Sequence, residues 1–110
     1  MPLSEKARIE AYLPDLPMQA YQDLLEALDR EFSYTFGGAS IIRGLEGSYL
    51  SRLGFQVRDR INLIYTDTPF AFTDNLVRIS RYADQLRAAA SAALNEEAVL
   101  VVVMPVYHAE

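Results

Sequence analysis

The sequence has no cysteine and only one histidine, His108, the third residue from its end. No disulfide framework and no thiolate chemistry can be built from it, and redox logic favours no compartment. A transition-metal site would have to rest on carboxylates, and a Ser-His-Asp set would have to use His108 on what reads as a terminal tail. Neither pattern is present, and no serine, lysine or threonine sits in a nucleophile motif. Positive charge is scarce as well: 10 basic residues face 15 acidic ones, for a net charge of −5. Nucleic-acid affinity rests on phosphate neutralisation, so this balance argues against a nucleic-acid partner. The longest apolar run, residues 98–106, contains Pro105 and falls far short of the ~20 residues a membrane span needs. Residues 1–6 lack the apolar core of a signal peptide. These absences predict a cytoplasmic protein with no membrane, nucleic-acid, metal or cofactor partner.

What is present fits a single domain over residues 1–110. A chain of this size buries roughly two-thirds of the surface exposed when unfolded, enough for a core without staples. Residues 6–13 alternate, with Ala7, Ile9, Ala11 and Leu13 on one side and Arg8, Glu10 and Tyr12 on the other, which predicts a strand. Asp15 is a candidate helix cap. Beyond it Tyr21, Leu24, Leu25, Leu28 and Phe32 form one apolar stripe at helical spacing. Four of the five glycines fall between Gly37 and Gly47, and the fifth is Gly54. Gly37-Gly38 breaks the helix exit. Gly44 and Gly47 point to a bulge inside a strand that continues through Leu50, and Ser51-Arg52-Leu53-Gly54 reads as a hairpin turn. In the following strand Val57, Ile61, Leu63 and Tyr65 are expected over the core, with Arg58, Arg60 and Asn62 on the other face. Thr73 or Asp74 is expected to cap a second helix whose buried side is Leu76, Ile79, Tyr82, Ala83, Leu86, Ala90, Ala93 and Leu94, with Asn95 closing it. The last strand, residues 98–104, is apolar at every position and so needs cover on both faces.

The order β-α-β-β-α-β predicts an α+β, ferredoxin-like fold, a four-stranded antiparallel sheet with two helices on one face. Leu25, Leu28, Ile61, Leu63, Leu86, Val101 and Val103 are its predicted core.

Gly37-Gly38-Ala39-Ser40, then Gly44-x-x-Gly47-x-Tyr49, then an apolar strand closing on Tyr65-Thr66 resemble a pattern in small bacterial proteins of uncharacterised function. Those carry Gly-Gly-x-Ser/Thr after the first helix, a Gly-x-Gly-x-aromatic segment and a strand ending in Tyr-Thr. Here the second glycine pair is separated by two residues instead of one. The resemblance covers the middle third of the chain and implies a ferredoxin-like fold; it lends no functional residue. The glycines do not form a phosphate loop, because a helix precedes them, a strand follows, and no Gly-Lys-Ser/Thr occurs.

The chemistry-bearing group is therefore the polar sheet face: Arg8, Glu10 and Tyr12 from the first strand, with Arg58 and Arg60 from the third. Solvated cross-strand pairs would account for it. Enclosed by a second subunit, the same face would hold a small anionic ligand between two arginines. The first functional expectation is a non-catalytic homodimer that binds a partner or small ligand through its sheet. The alternative is a small dimeric α+β barrel enzyme acting on a small organic molecule, with Glu10 or Tyr12 as acid or base. The homodimer follows from the last strand, whose outward Leu100, Val102 and Met104 find no third layer within 110 residues.

Overall fold

The computed structural model describes residues 3–95 and 99–109, with Tyr49 described by its backbone alone. Along the chain run β1 (Leu3–Pro14), α1 (Gln19–Phe36), β2 (Ser40–Leu50), β3 (Gln56–Asp67), a 3-10 turn over Thr73–Asn75, α2 (Leu76–Leu94) and β4 (Leu100–Ala109). The strands form one antiparallel sheet in the order β2-β3-β1-β4. This is the ferredoxin-like α+β arrangement, with β1 and β3 central and β2 and β4 as edges.

The alternation of β1 places Ala7, Ile9, Ala11 and Leu13 against the helices, all essentially inaccessible. Leu25, Leu28 and Phe32 of α1 and Ile79 and Ala90 of α2 close over them, joined by Ile64 of β3. Burying these side chains is the main stabilising term, at ~25 cal/mol per Å² of apolar surface. Leu86, Val101 and Val103 pack against this core without full burial. On α2, Leu76 and Ala93 are exposed instead of buried.

The helix ends differ from expectation at their starts. Met18 is the N-cap of α1 and Asn75 that of α2, and neither makes a side-chain cap bond. Asp15 accepts a hydrogen bond from Asn62 Nδ2 at 3.3 Å instead. Both C-caps take the left-handed conformation, Gly37 at φ 99° and Asn95 at φ 49°. The predicted bulge is found as a register shift between Ile42 and Leu45, with Gly44 at φ 69°. Asn62 pins it, its Oδ1 accepting the Gly44 N–H at 3.0 Å. That partner, with Asp15, is what permits an amide side chain to be only 3% exposed beside the core.

Two further expectations are corrected. Ile61 and Leu63 are not in the helix-side core. Leu63 pairs with Tyr12 and Ile61 with Pro14, so both lie on the open face of the sheet. The last strand does not stop before Pro105 but pairs with β1 as far as Ala109. Proline is tolerated there because β4 is an edge. Ala98, its expected first residue, lies outside the described residues.

Candidate functional site

Residues directly opposite in an antiparallel ladder share a face, so the registers assign every strand position. Arg8 opposes Asp67 and Met104; Glu10 opposes Tyr65 and Val102; Tyr12 opposes Leu63 and Leu100. All project from the face that the helices leave open. Ile42 of β2 joins them opposite Leu63.

A bonded row of polar side chains crosses this face. Arg8 grips Asp67 in a two-point ion pair, Nε donating to Oδ1 at 2.6 Å and Nη2 to Oδ2 at 3.0 Å. Its guanidinium carbon also sits 4.4 Å from the centre of the Tyr65 ring, a cation–π stack that fixes the fork. His108 Nε2 reaches Asp67 Oδ2 at 2.9 Å. The hydrogen bond from Arg8, seconded by that with His108, holds the Asp67 carboxyl below the usual carboxylate range against its desolvation. The same bond holds Arg8 above its ordinary value. Next along β1, the Tyr12 hydroxyl donates to Glu10 Oε1 at 2.8 Å, which pushes the Tyr12 phenol up. Glu10 is only 7% exposed, although no element covers this face.

Beside the Asp67 end of the row lies a polar hollow of about 430 Å³, with Gly37, Gly38, Ser40, Tyr65, Thr66 and Asp67 among its lining. The two glycines form its rim where the chain passes from α1 to β2, and Thr66 Oγ1 secures the passage by donating to the Gly38 carbonyl at 2.7 Å. A separate apolar hollow of about 380 Å³ between the helices is lined by residues that include Leu24, Leu28, Tyr82 and Leu86, none of them predicted site residues.

Of the five predicted site residues, the structure gathers Arg8, Glu10 and Tyr12 and removes Arg58 and Arg60. Glu46 opposes Arg60 and Ser48 opposes Arg58, in step with Asn62 and Ile64 on the helix-side face. Arg60 turns to Asp15 at 3.9 Å, outside hydrogen-bond range. The two arginines therefore cannot clamp an anion together with Arg8. Sequence reasoning missed Tyr65 and Asp67, and it placed His108 on a tail when it is a strand residue. The alternation of β3 groups Asp67 with Tyr65 and Leu63, but only the pairing with β1 shows that this side is the open one. Among the described residues no group of three or more His, Cys, Asp or Glu is positioned to hold a metal ion. No described helix is long and apolar enough to cross a membrane.

The fold defines the class: a small α+β sheet-and-helix domain with one sheet face open. No family model matches the sequence, and no curated protein does. Solved structures do resemble it. The chain is similar to the CutA1 protein of Oryza sativa (TM-score 0.62, 16% identity, 98% of this chain and 85% of that one). It is similar to the divalent cation tolerance protein CutA1 of Thermus thermophilus (TM-score 0.60, 17% identity, 97% and 88%). It is also similar to CPII of Thiomonas intermedia, a nitrogen regulatory PII-like protein solved with ADP, AMP and bicarbonate (TM-score 0.53, 15% identity, 99% and 100%). At these identities the likeness establishes the shared fold.

Proposed function

We propose that the protein is a non-catalytic binding module that forms a homodimer through its open sheet face and takes a small anionic ligand there. One observation carries the reading. The face opposite the helices keeps apolar side chains in water, with Leu100 55% and Ile42 43% exposed beside Val102, Met104, Ile61 and Tyr65. Leaving such a face wet forfeits the stabilisation its burial would give, and an identical subunit is the simplest cover.

The polar row would then be enclosed. Arg8 and Asp67 already pair and the Glu10 carboxylate already holds the Tyr12 hydroxyl, so burial under a partner keeps those bonds. Lys6 and Arg8 are the cations an anionic ligand would meet, with His108, Glu10 and Tyr12 beside them. The resemblance to a PII-like protein holding ADP, AMP and bicarbonate supports the ligand class.

Size-exclusion chromatography with light scattering at micromolar concentration is the test. The expected mass is that of two chains, falling to one on Val102→Asp. A one-chain mass for the unaltered protein would overturn the reading. Calorimetric titration with ADP, AMP and bicarbonate tests the ligand class, and no heat with any of the three would remove it.

A further inference from the structure

We propose that the hairpin formed by the outer halves of β2 and β3 is a clasp that grips a second copy of this chain. The proposal rests on the self-association reading above but not on the sheet face being its seam.

The clasp is defined by where pairing with β1 ends. The carbonyl of Arg60 still accepts the Asp15 N–H at 2.9 Å. Beyond it β3 has only β2 for a neighbour, in pairs running from Gly47↔Asp59 to Leu50↔Gln56. The tip, Ser51–Phe55, is closed by Ser51 N–H to the Phe55 carbonyl at 2.7 Å and Gly54 N–H to the Ser51 carbonyl at 3.0 Å. The result is a two-stranded arm with neither face covered, in an elongated molecule of 48 × 28 × 24 Å. A ribbon of two strands is marginal in water by itself. At its end this one holds Leu50, Leu53 and Phe55 at 74%, 83% and 68% exposure. Three large apolar side chains at a projecting tip stay mostly in water within their own subunit.

Charge indicates what they meet. Residues 47–59 hold two arginines and one acid, a net +1, which leaves −6 on the rest of a chain whose total is −5. Among the described residues the arm's Arg52 and Arg58 make no ion pair. A basic arm on an acidic body is self-complementary between copies, whereas arm against arm repels. The arm also continues the open sheet face: Ile42 and Leu45, opposite Leu63 and Ile61, lead outward along it toward Gly47 and Asp59. A subunit seated on that face lies within reach of the arm.

The full chain is tested by light scattering over a concentration series, with circular dichroism as the fold control. Leu53→Ser with Phe55→Ser alters only exposed side chains and should weaken self-association about tenfold or more. Replacing residues 48–58 by Asn-Gly should do the same, and if that shortened chain fails to fold, the tip variant decides. Arg52→Glu with Arg58→Glu should also weaken association, most at low salt. A tip variant with the dissociation curve of the unaltered protein overturns the clasp. If Val102→Asp dissociates the protein and the tip variant does not, the clasp fails and the sheet seam stands; the reverse pattern removes the seam and keeps the clasp. A tip variant that self-associates normally but loses binding to a polyglutamate peptide overturns the second copy as occupant. A protein monomeric at every concentration overturns both proposals.

Discussion

Arg8 and Asp67, 59 positions apart, are joined by two hydrogen bonds across the central strand pair, with side chains 28% and 20% exposed. The pair ties the start of the chain to the end of β3, and it carries the charge balance of the open face. Asp67→Asn removes the anion and leaves Arg8 half-buried without its counter-charge, at an expected cost of about 1–3 kcal/mol at neutral pH. Chemical denaturation of both proteins measures it.

The pH dependence of that stability has a definite direction. Asp67 is held below its ordinary value of 3.8 in the folded chain. Its contribution is therefore fully present above the unfolded value and is lost as pH falls through the folded one. Denaturation at pH 7 and near pH 3 should show the gap between the unaltered protein and Asp67→Asn narrowing at the lower pH. A gap that widened would contradict the assignment.

Leu28 is 4% exposed and belongs to the helix-side core. Leu28→Ala should cost about 2–5 kcal/mol. A loss below about 0.5 kcal/mol would show that α1 does not pack on the sheet as described.

Gly44 and Gly47 should respond differently to alanine. At φ 69° a Cβ on Gly44 is strained and meets Arg60 Nη2 at 2.8 Å, the end of a side chain that can move aside. The backbone then sets the cost, about 1–2 kcal/mol. On Gly47 the nearest atom is Ile61 Cδ1 at 4.0 Å and φ is ordinary, so alanine should change stability by less than about 0.5 kcal/mol. Equal effects at the two positions would refute the bulge geometry.

Tyr12 titrates above its ordinary 10.0 chiefly because it donates to the Glu10 carboxylate. Glu10→Gln should lower its titration toward that value, read by ultraviolet difference absorbance with Tyr12→Phe identifying the signal. No movement would mean the hydroxyl is bonded elsewhere.

Periodicity alone makes the element order, the α1 stripe, the inward face of β1 and the outward set Leu100, Val102 and Met104 legible in the sequence. It fails on β3. The strand alternates except at Asp59 and Ile64, and its more apolar side, Ile61, Leu63 and Tyr65, is the side that hydrophobicity assigns to the core. Pairing with β1 decides otherwise, because Ala11 opposes Ile64 and Tyr12 opposes Leu63. Asn62 and Thr66 face the helices at 3% and 2% exposure because each finds a hydrogen-bond partner there. Alternation gives two faces but not which is inside, and an open face that is itself apolar removes the usual guide. Assigning Arg58 and Arg60 to the site follows from that one inversion. His108 is missed for a different reason: a C-terminal position argues for mobility, and only the β1–β4 register shows it held beside Asp67.

The bulge at Arg43–Gly44 works as a phase setter. Ile42 and Leu45 are three residues apart yet share a face, since the ladder steps over two positions between Leu63 and Ile61. The bulge takes up one extra residue, so Leu45 and every position outward of it keep the face that pairing with β3 gives them. Deleting one residue there would restore simple alternation and leave Leu45 opposite Ile61 and Gly47 opposite Asp59, whereas deleting one outward of the bulge would move Ser48 and Leu50 to the side now held by Gly47. β2 thus tolerates a change of length at the bulge and nowhere else along the projecting hairpin.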